Sequence, residues 1–170
     1  AWPQRRLRLR SQLGLELLRS AEGVTLQELI QLKHSPRMLM ADRVKEQLVA
    51  AVRASGPTGD LLAAADLLEA WQNTSEASSR GGVLFDMWVG TYDELGGDYA
   101  QQWIESAPLE TPSGIDDPQL AVRAFEEAIR RTTEAYGSYD IAWGDVHRVR
   151  WGRVDVPVSG CPSYLGCFRH

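Results

Sequence analysis

A chain of 170 residues that is 44% apolar and 24% charged can bury a core of its own and is too apolar to be a disordered polymer. Its net charge of -5 gives no general attraction to nucleic acid, and the basic run Arg5, Arg6, Arg8 and Arg10 reads first as a solvated helix face. No stretch approaches the roughly 20 apolar residues of a membrane-spanning helix, so the expectation is a soluble piece with no nucleic-acid and no membrane partner.

Leu7, Leu9, Leu13, Leu15, Leu17 and Leu18 give a first helix an apolar surface, ending near Gly23. Thr25 and Glu28 have capping-box spacing, which starts a short second helix. Ser35 before Pro36 signals a third start, because proline costs nothing at a first helical position whose N–H lacks a partner. Met38, Leu39, Ala41, Val44, Leu48 and Val52 supply the stripe behind it, and Ser55, Gly56 and Pro57 stop it. Asp60 is positioned to cap a helix bearing Leu61, Leu62, Ala65, Leu68 and Trp71, and residues 73–79 form a polar turn. The next helix carries Val83, Leu84, Met87, Trp88, Thr91, Tyr92 and Leu95, and Gly96 with Gly97 terminates it.

Residues 98–107 read as a short helix and 108–117 as a surface loop. Asp117 and Pro118 repeat the cap-plus-proline start for a helix with Leu120, Ala124, Phe125, Ala128, Ile129 and Thr133, stopping at Gly137. Beyond Tyr139 the period changes to two: Val146, Arg148 and Arg150 alternate with His147, Val149 and Trp151, and 154–158 is a second β-rich run. Trp151, Gly152 and Arg153 read as the turn between them. The fold class is therefore mainly α, with six or seven helices and a short C-terminal β-strand pair. The division is a helical region over 1–138 and strands with an irregular tail over 139–170. The chain opens on Ala1 and Trp2 and runs to Cys167, Phe168, Arg169 and His170, ends that read as cut from a longer chain.

The segment Trp143, Gly144, Asp145, Val146, His147, Arg148, Val149 resembles the W-G-[DE]-V-[HNQ]-R stretch of the penicillin acylase family, in the branch with acyl-homoserine-lactone, aculeacin and cephalosporin acylases. The tail from Val156 through Pro157, Gly160, Pro162, Leu165 and Gly166 to Phe168 and Arg169 is similar to the stretch that follows it in that branch. Upstream, the Arg-rich helix, the Ser35-Pro36 helix, Leu68 to Trp71 and the Leu84, Phe85, Trp88 cluster fall in the order of that family's helical β-subunit region. The resemblance implies a piece of the β subunit of an αββα N-terminal-nucleophile hydrolase, a zymogen cut to α and β chains and exported to the periplasm or secreted. It implies cleavage of acyl amides: β-lactam side chains (antibiotic metabolism), acyl-homoserine lactones or lipopeptides. The implied partners are the remainder of the acylase α and β chains and the acyl-amide substrate, and a homodimer of the piece is a further expectation.

In that family the β-chain N-terminal Ser attacks the amide carbonyl with its own α-amino group as base, and a backbone N–H and a downstream Asn hold the oxyanion. Position 1 here is Ala, and Asn73, the only Asn, sits in a polar interhelical turn that does not match. No catalytic residue is expected in this chain, which alone is expected to be inert. The family also has an Arg at the start of the helix resembling residues 5–18, and Arg6 or Arg8 is the implied substrate-binding counterpart. A solvated or interhelical arginine is the plain alternative.

Cys161 and Cys167 flank an interval long enough for a loop to bring the sulfurs together, and export of the resembling enzymes favours a disulfide over two buried thiols. His147, Cys161, Cys167 and His170 match no usual zinc spacing, so neither a metal nor a cofactor is expected. No Gly-x-Ser-x-Gly elbow supports a triad built on Asp145 and His147. Trp71 and Trp88 fall at helical core positions, and Asp116 and Asp117 read as capping residues rather than calcium ligands. The rival reading is a free-standing helical interaction module.

Overall fold

The computed structural model describes residues 6–21 and 23–168, so Arg5 of the basic run and His170 of the zinc grouping lie outside the described residues. Seven helices and two strands follow in chain order among them: α1 Leu9–Arg19, α2 Leu26–Lys33, α3 Leu39–Ala54, α4 Gly59–Ala70, α5 Gly82–Glu94, α6 Pro118–Tyr136, α7 Trp143–Val146, β1 Arg148–Trp151 and β2 Val154–Pro157. The protein is mostly helical, and the one sheet among the described residues is an antiparallel pair in the register Val149 opposite Val156 and Trp151 opposite Val154.

The core follows the apolar periodicity. On α6 the buried residues Ala121, Ala124, Phe125, Ala128, Ile129 and Thr132 recur at helical spacing, and on α3 Leu39 through Val52 do the same. Where α5 meets α6, the Trp88 indole N–H donates to the Ala121 carbonyl at 3.1 Å. Trp71, Phe85, Trp88 and Tyr92 form a run of ring contacts with centroids 5.3, 5.5 and 5.3 Å apart. Trp71 and Trp88 are both core residues, as their positions imply.

Two helix starts are local. Thr25 and Glu28 form the full capping box of α2. The Asp117 carboxylate accepts from the Leu120 N–H ahead of Pro118, and Gly137 in the left-handed region closes α6.

Other boundaries depart from the sequence expectation for tertiary reasons. Ser35-Pro36 does not start α3, whose N-cap is Met38. The Pro36 carbonyl accepts from the Ser75 N–H at 2.8 Å, Arg37 bridges Thr74, and the Met38 N–H reaches the Asn73 carbonyl, which holds 36–38 extended. Asp60 lies in the first turn of α4, and Thr58 is the N-cap. The short helix expected over 98–107 is absent, because the backbone there bonds across the loop: Gln101 pairs with Ser113, and Ala100 donates to Gly114. Its apolar side chains go to separate partners, Tyr99 to the Met40 sulfur and the Trp103 indole to the Pro108 carbonyl. Val146 belongs to the one-turn α7 and the first strand starts at Arg148, while Trp151 ends that strand and the turn is Gly152-Arg153. Gly152 at φ +57 is the first central residue of this two-residue turn, a place that favours glycine.

The tail returns to the helices. Leu165 and Cys167 are fully buried with Trp143 in the same core cluster, and the Met40 N–H donates to the Leu165 carbonyl at 3.0 Å. Gly144 enters the crevice between the polar turn and β2, where a Cβ would stand 2.7 Å from the Pro157 Cβ and 2.9 Å from the Ala77 carbonyl oxygen. Gly144→Ala is therefore expected to lose about 1–3 kcal/mol to overpacking, read as a lower denaturant midpoint at unchanged slope.

Candidate functional site

Between α3, α5, the 95–117 loop and the segment entering α1 lies a cleft of about 740 Å³, within the usual range for small-molecule pockets. Apolar side chains make most of its wall: Leu7 and Leu9 before and at the start of α1, Met40 and Val44 from α3, Trp88 from α5, and Ile115 from the loop. Helical periodicity explains the α3 and α5 contributions, since Met40 and Val44, and Trp88 and Tyr92, are each four residues apart on one face.

The polar groups of the cleft are fixed by the loop. The Tyr92 hydroxyl donates to Asp116 Oδ1 at 2.5 Å, and the same carboxylate oxygen accepts the N–H groups of Asp98 and Asp117. These bonds hold the Asp116 carboxyl below the usual range, while burial and the Asp116 carboxylate push the Tyr92 phenol up to about 12. Burial also pushes Tyr99 up to about 12, against the nearby positive charges of Arg6 and Arg43. The loop is pinned from α3 by Gln47, whose Oε1 accepts from the Ile115 N–H at 2.9 Å, and by the Arg43 guanidinium, which donates to the Leu109 carbonyl. At neutral pH both phenols stay protonated, so the cleft offers hydroxyls, the carboxyl side chains of Asp93, Glu94 and Asp98 and the guanidinium groups of Arg6 and Arg8, while Asp116 stands behind the lining and fixes the Tyr92 hydroxyl.

Arg6 and Arg8 both line this cleft, exposed and ahead of the first turn of α1. The expectation of a wholly solvated basic face fails at Arg10. Its Nε donates to the Cys167 carbonyl at 2.7 Å and its Nη2 to the Cys161 carbonyl at 2.9 Å, because the tail packs against α1 at that point. Cys161 and Cys167 are bonded to each other, with Cα atoms 5.4 Å apart. His147 stacks on Trp143 with centroids 3.7 Å apart.

Sequence reading placed Tyr92 only in a helical stripe and Asp116 behind it only among capping residues, passed over Tyr99, and gave no site role to Asp86 and Tyr164 in a smaller cleft beside this one. Asp86 alone left a signal, as the single carboxylate inside the apolar run Val83 to Val89. Tyr164 comes from 78 residues away to bond it, and that meeting has no local signature.

The hairpin presents a sorted surface. Arg148, Arg150 and Asp155 pair on one side, while Val149, Trp151, Val154 and Val156 share the other and are all exposed, Trp151 at 81%. Helix α2 likewise buries no residue and exposes Leu26, Leu29 and Ile30. The family model described as penicillin amidase matches residues 2–168, which takes in the larger cleft, the Trp143–Val149 segment and the tail from Val156.

Proposed function

Since the chain belongs to the penicillin amidase family, whose members imply an amide-hydrolase parent, we propose that it forms a helical wall of the acyl pocket in such an acylase. The observation that carries this reading is the largely apolar cleft with Arg6 and Arg8 along it. A volume of about 740 Å³ suits an aromatic or linear acyl group, and the guanidinium groups suit the amide carbonyl or a carboxylate at its polar end. The substrate class is the acyl amide of a β-lactam side chain, an acyl-homoserine lactone or a lipopeptide.

The remaining acylase chains, in an αββα arrangement, are the partners of the exposed hairpin face. An isolated strand pair is marginal in water, and open strand edges invite pairing with another chain. The Cys161–Cys167 bond supports a periplasmic or secreted setting, where disulfides persist. The nucleophile belongs to the parent. In this chain the His147 Nδ1 is engaged by the Trp143 carbonyl at 3.2 Å.

Two measurements test the reading. The purified 170-residue chain is expected to give no turnover of a chromogenic phenylacetyl or long-acyl amide, and turnover that co-purifies with it would overturn the assignment of the nucleophile to the parent. In the processed full-length enzyme, Arg6→Ala and Arg8→Ala, made singly, are expected to raise KM by about tenfold in at least one case. Unchanged KM in both would remove the arginines from the site.

A further inference from the structure

We propose that the smaller cleft, of about 190 Å³ between α5 and the disulfide loop, binds a primary alkylammonium ion through Asp86, His147 and Tyr164. This goes beyond the acyl-pocket reading and does not depend on it.

The chemistry follows from which groups are already spent. The Tyr164 hydroxyl donates to Asp86 Oδ1 at 2.7 Å, and the Thr91 hydroxyl donates to the Met87 carbonyl at 2.9 Å within α5. His147 Nδ1 lies 3.2 Å from the Trp143 carbonyl, which can only accept, so Nδ1 carries a proton and, in the tautomer with a single proton, the lone pair lies on Nε2. Stacking on Trp143 fixes the plane of that ring. Arg131, the cation at the edge of the cleft, is held by Glu94 at 2.6 Å and Glu127 at 2.7 Å. The cleft thus offers the second oxygen of Asp86, the imidazole Nε2 and the free lone pairs of two hydroxyls. A matching ligand must bring donors.

It must also bring charge. No lysine or arginine among the described residues pairs with Asp86, and a half-buried carboxylate without a cation is costly. Burial accordingly pushes the Asp86 carboxyl up, opposed by the Tyr164 hydroxyl and by His147. An ammonium has three N–H donors in a compact head, and Tyr136, Tyr164 and Met87 provide an aromatic and thioether rim for its alkyl stem. A metal ion fits less well, since no group of three His, Cys, Asp or Glu converges among the described residues. A guanidinium would need both Asp86 oxygens for bidentate pairing, and Tyr164 occupies one.

The probe is n-butylammonium chloride, added to the 170-residue chain while the imidazole nitrogens of His147 are followed by NMR. A saturable shift of the Nε2 resonance is expected, and n-butanol and tetramethylammonium should produce none, the first lacking charge and the second lacking N–H donors. Asp86→Asn should weaken binding by about tenfold, the effect of removing a charged hydrogen-bond partner. No saturable shift in the unaltered chain, or equal response to n-butanol or tetramethylammonium, would overturn the proposal without any variant. Equal affinity in a folded Asp86→Asn chain would do the same, whereas none of these results would bear on KM effects at Arg6 and Arg8.

Discussion

Replacing Trp88 with alanine is expected to lower the unfolding free energy by about 3–5 kcal/mol. Trp88 is fully buried at the junction of α5 and α6. It contacts Phe85 and Tyr92 on its own helix and donates to the Ala121 carbonyl on the next. Truncation removes the dispersion contacts of the indole and leaves a cavity that two helices cannot close without moving apart. The same side chain lines the larger cleft, so the cavity would open into it. Trp88→Phe keeps a ring against Tyr92 and should lose less than half as much. The check is a pair of urea titrations at matched slope, and an alanine variant within about 1 kcal/mol of the parent chain would show that α5 and α6 are held elsewhere.

Removing the disulfide through Cys161→Ala with Cys167→Ala is expected to cost about 2–4 kcal/mol. The ring it closes is short, with a sequence separation of six, so the denatured-state term lies near the lower end of that range. Burial adds the rest, because Cys167 is fully covered and Leu165 between the two cysteines is inserted in the core. Arg10 holds the carbonyls of both cysteines, so Arg10→Ala and the disulfide variant should be non-additive, with a coupling of about 0.5–3 kcal/mol. The local reporter is the Met40 amide, whose acceptor is the Leu165 carbonyl. Its hydrogen exchange should accelerate on reduction while that of α6 amides changes less. Mass measurement without reductant should find two hydrogens fewer than the dithiol form. Met40 protection that is indifferent to reductant would mean that packing alone seats the loop.

Much of the helical layout was legible because its determinants are local. The capping box at Thr25 and Glu28, the Asp117-Pro118 start and the Gly137 stop each act within a few residues, so reading them needs no partner. The core stripe of α6 is equally plain, since one repeating spacing decides which face is buried. The resemblance carried by the Trp143–Val149 segment and the tail points to the same family as the match over residues 2–168.

The larger cleft was legible only at its rim, where the resemblance pointed to Arg6 and Arg8. Its wall is assembled from α3, α5 and a loop whose hydrogen bonds span tens of residues, as in Ile115 to Gln47 and Gly114 to Arg43. No periodicity encodes such a meeting.

What the sequence determined by itself, then, is the set of helices with local caps and stripes, a turn around Gly152, and membership in a family of amide hydrolases. Tertiary structure decided where competing signals gave way. Ser35-Pro36 carries a sound helix start, yet 36–38 stay extended because Asn73 and Ser75 offer backbone partners there. Residues 98–107 could have coiled, but cross-loop bonds from Gln101 and Ala100 hold them open. Arg10 left the solvent because two carbonyls of the returning tail lacked donors of their own strand or helix, and a guanidinium could reach both at once. The physical reason is the same in each case: a local preference is worth about 1 kcal/mol, and several long-range hydrogen bonds with buried side chains behind them outweigh it.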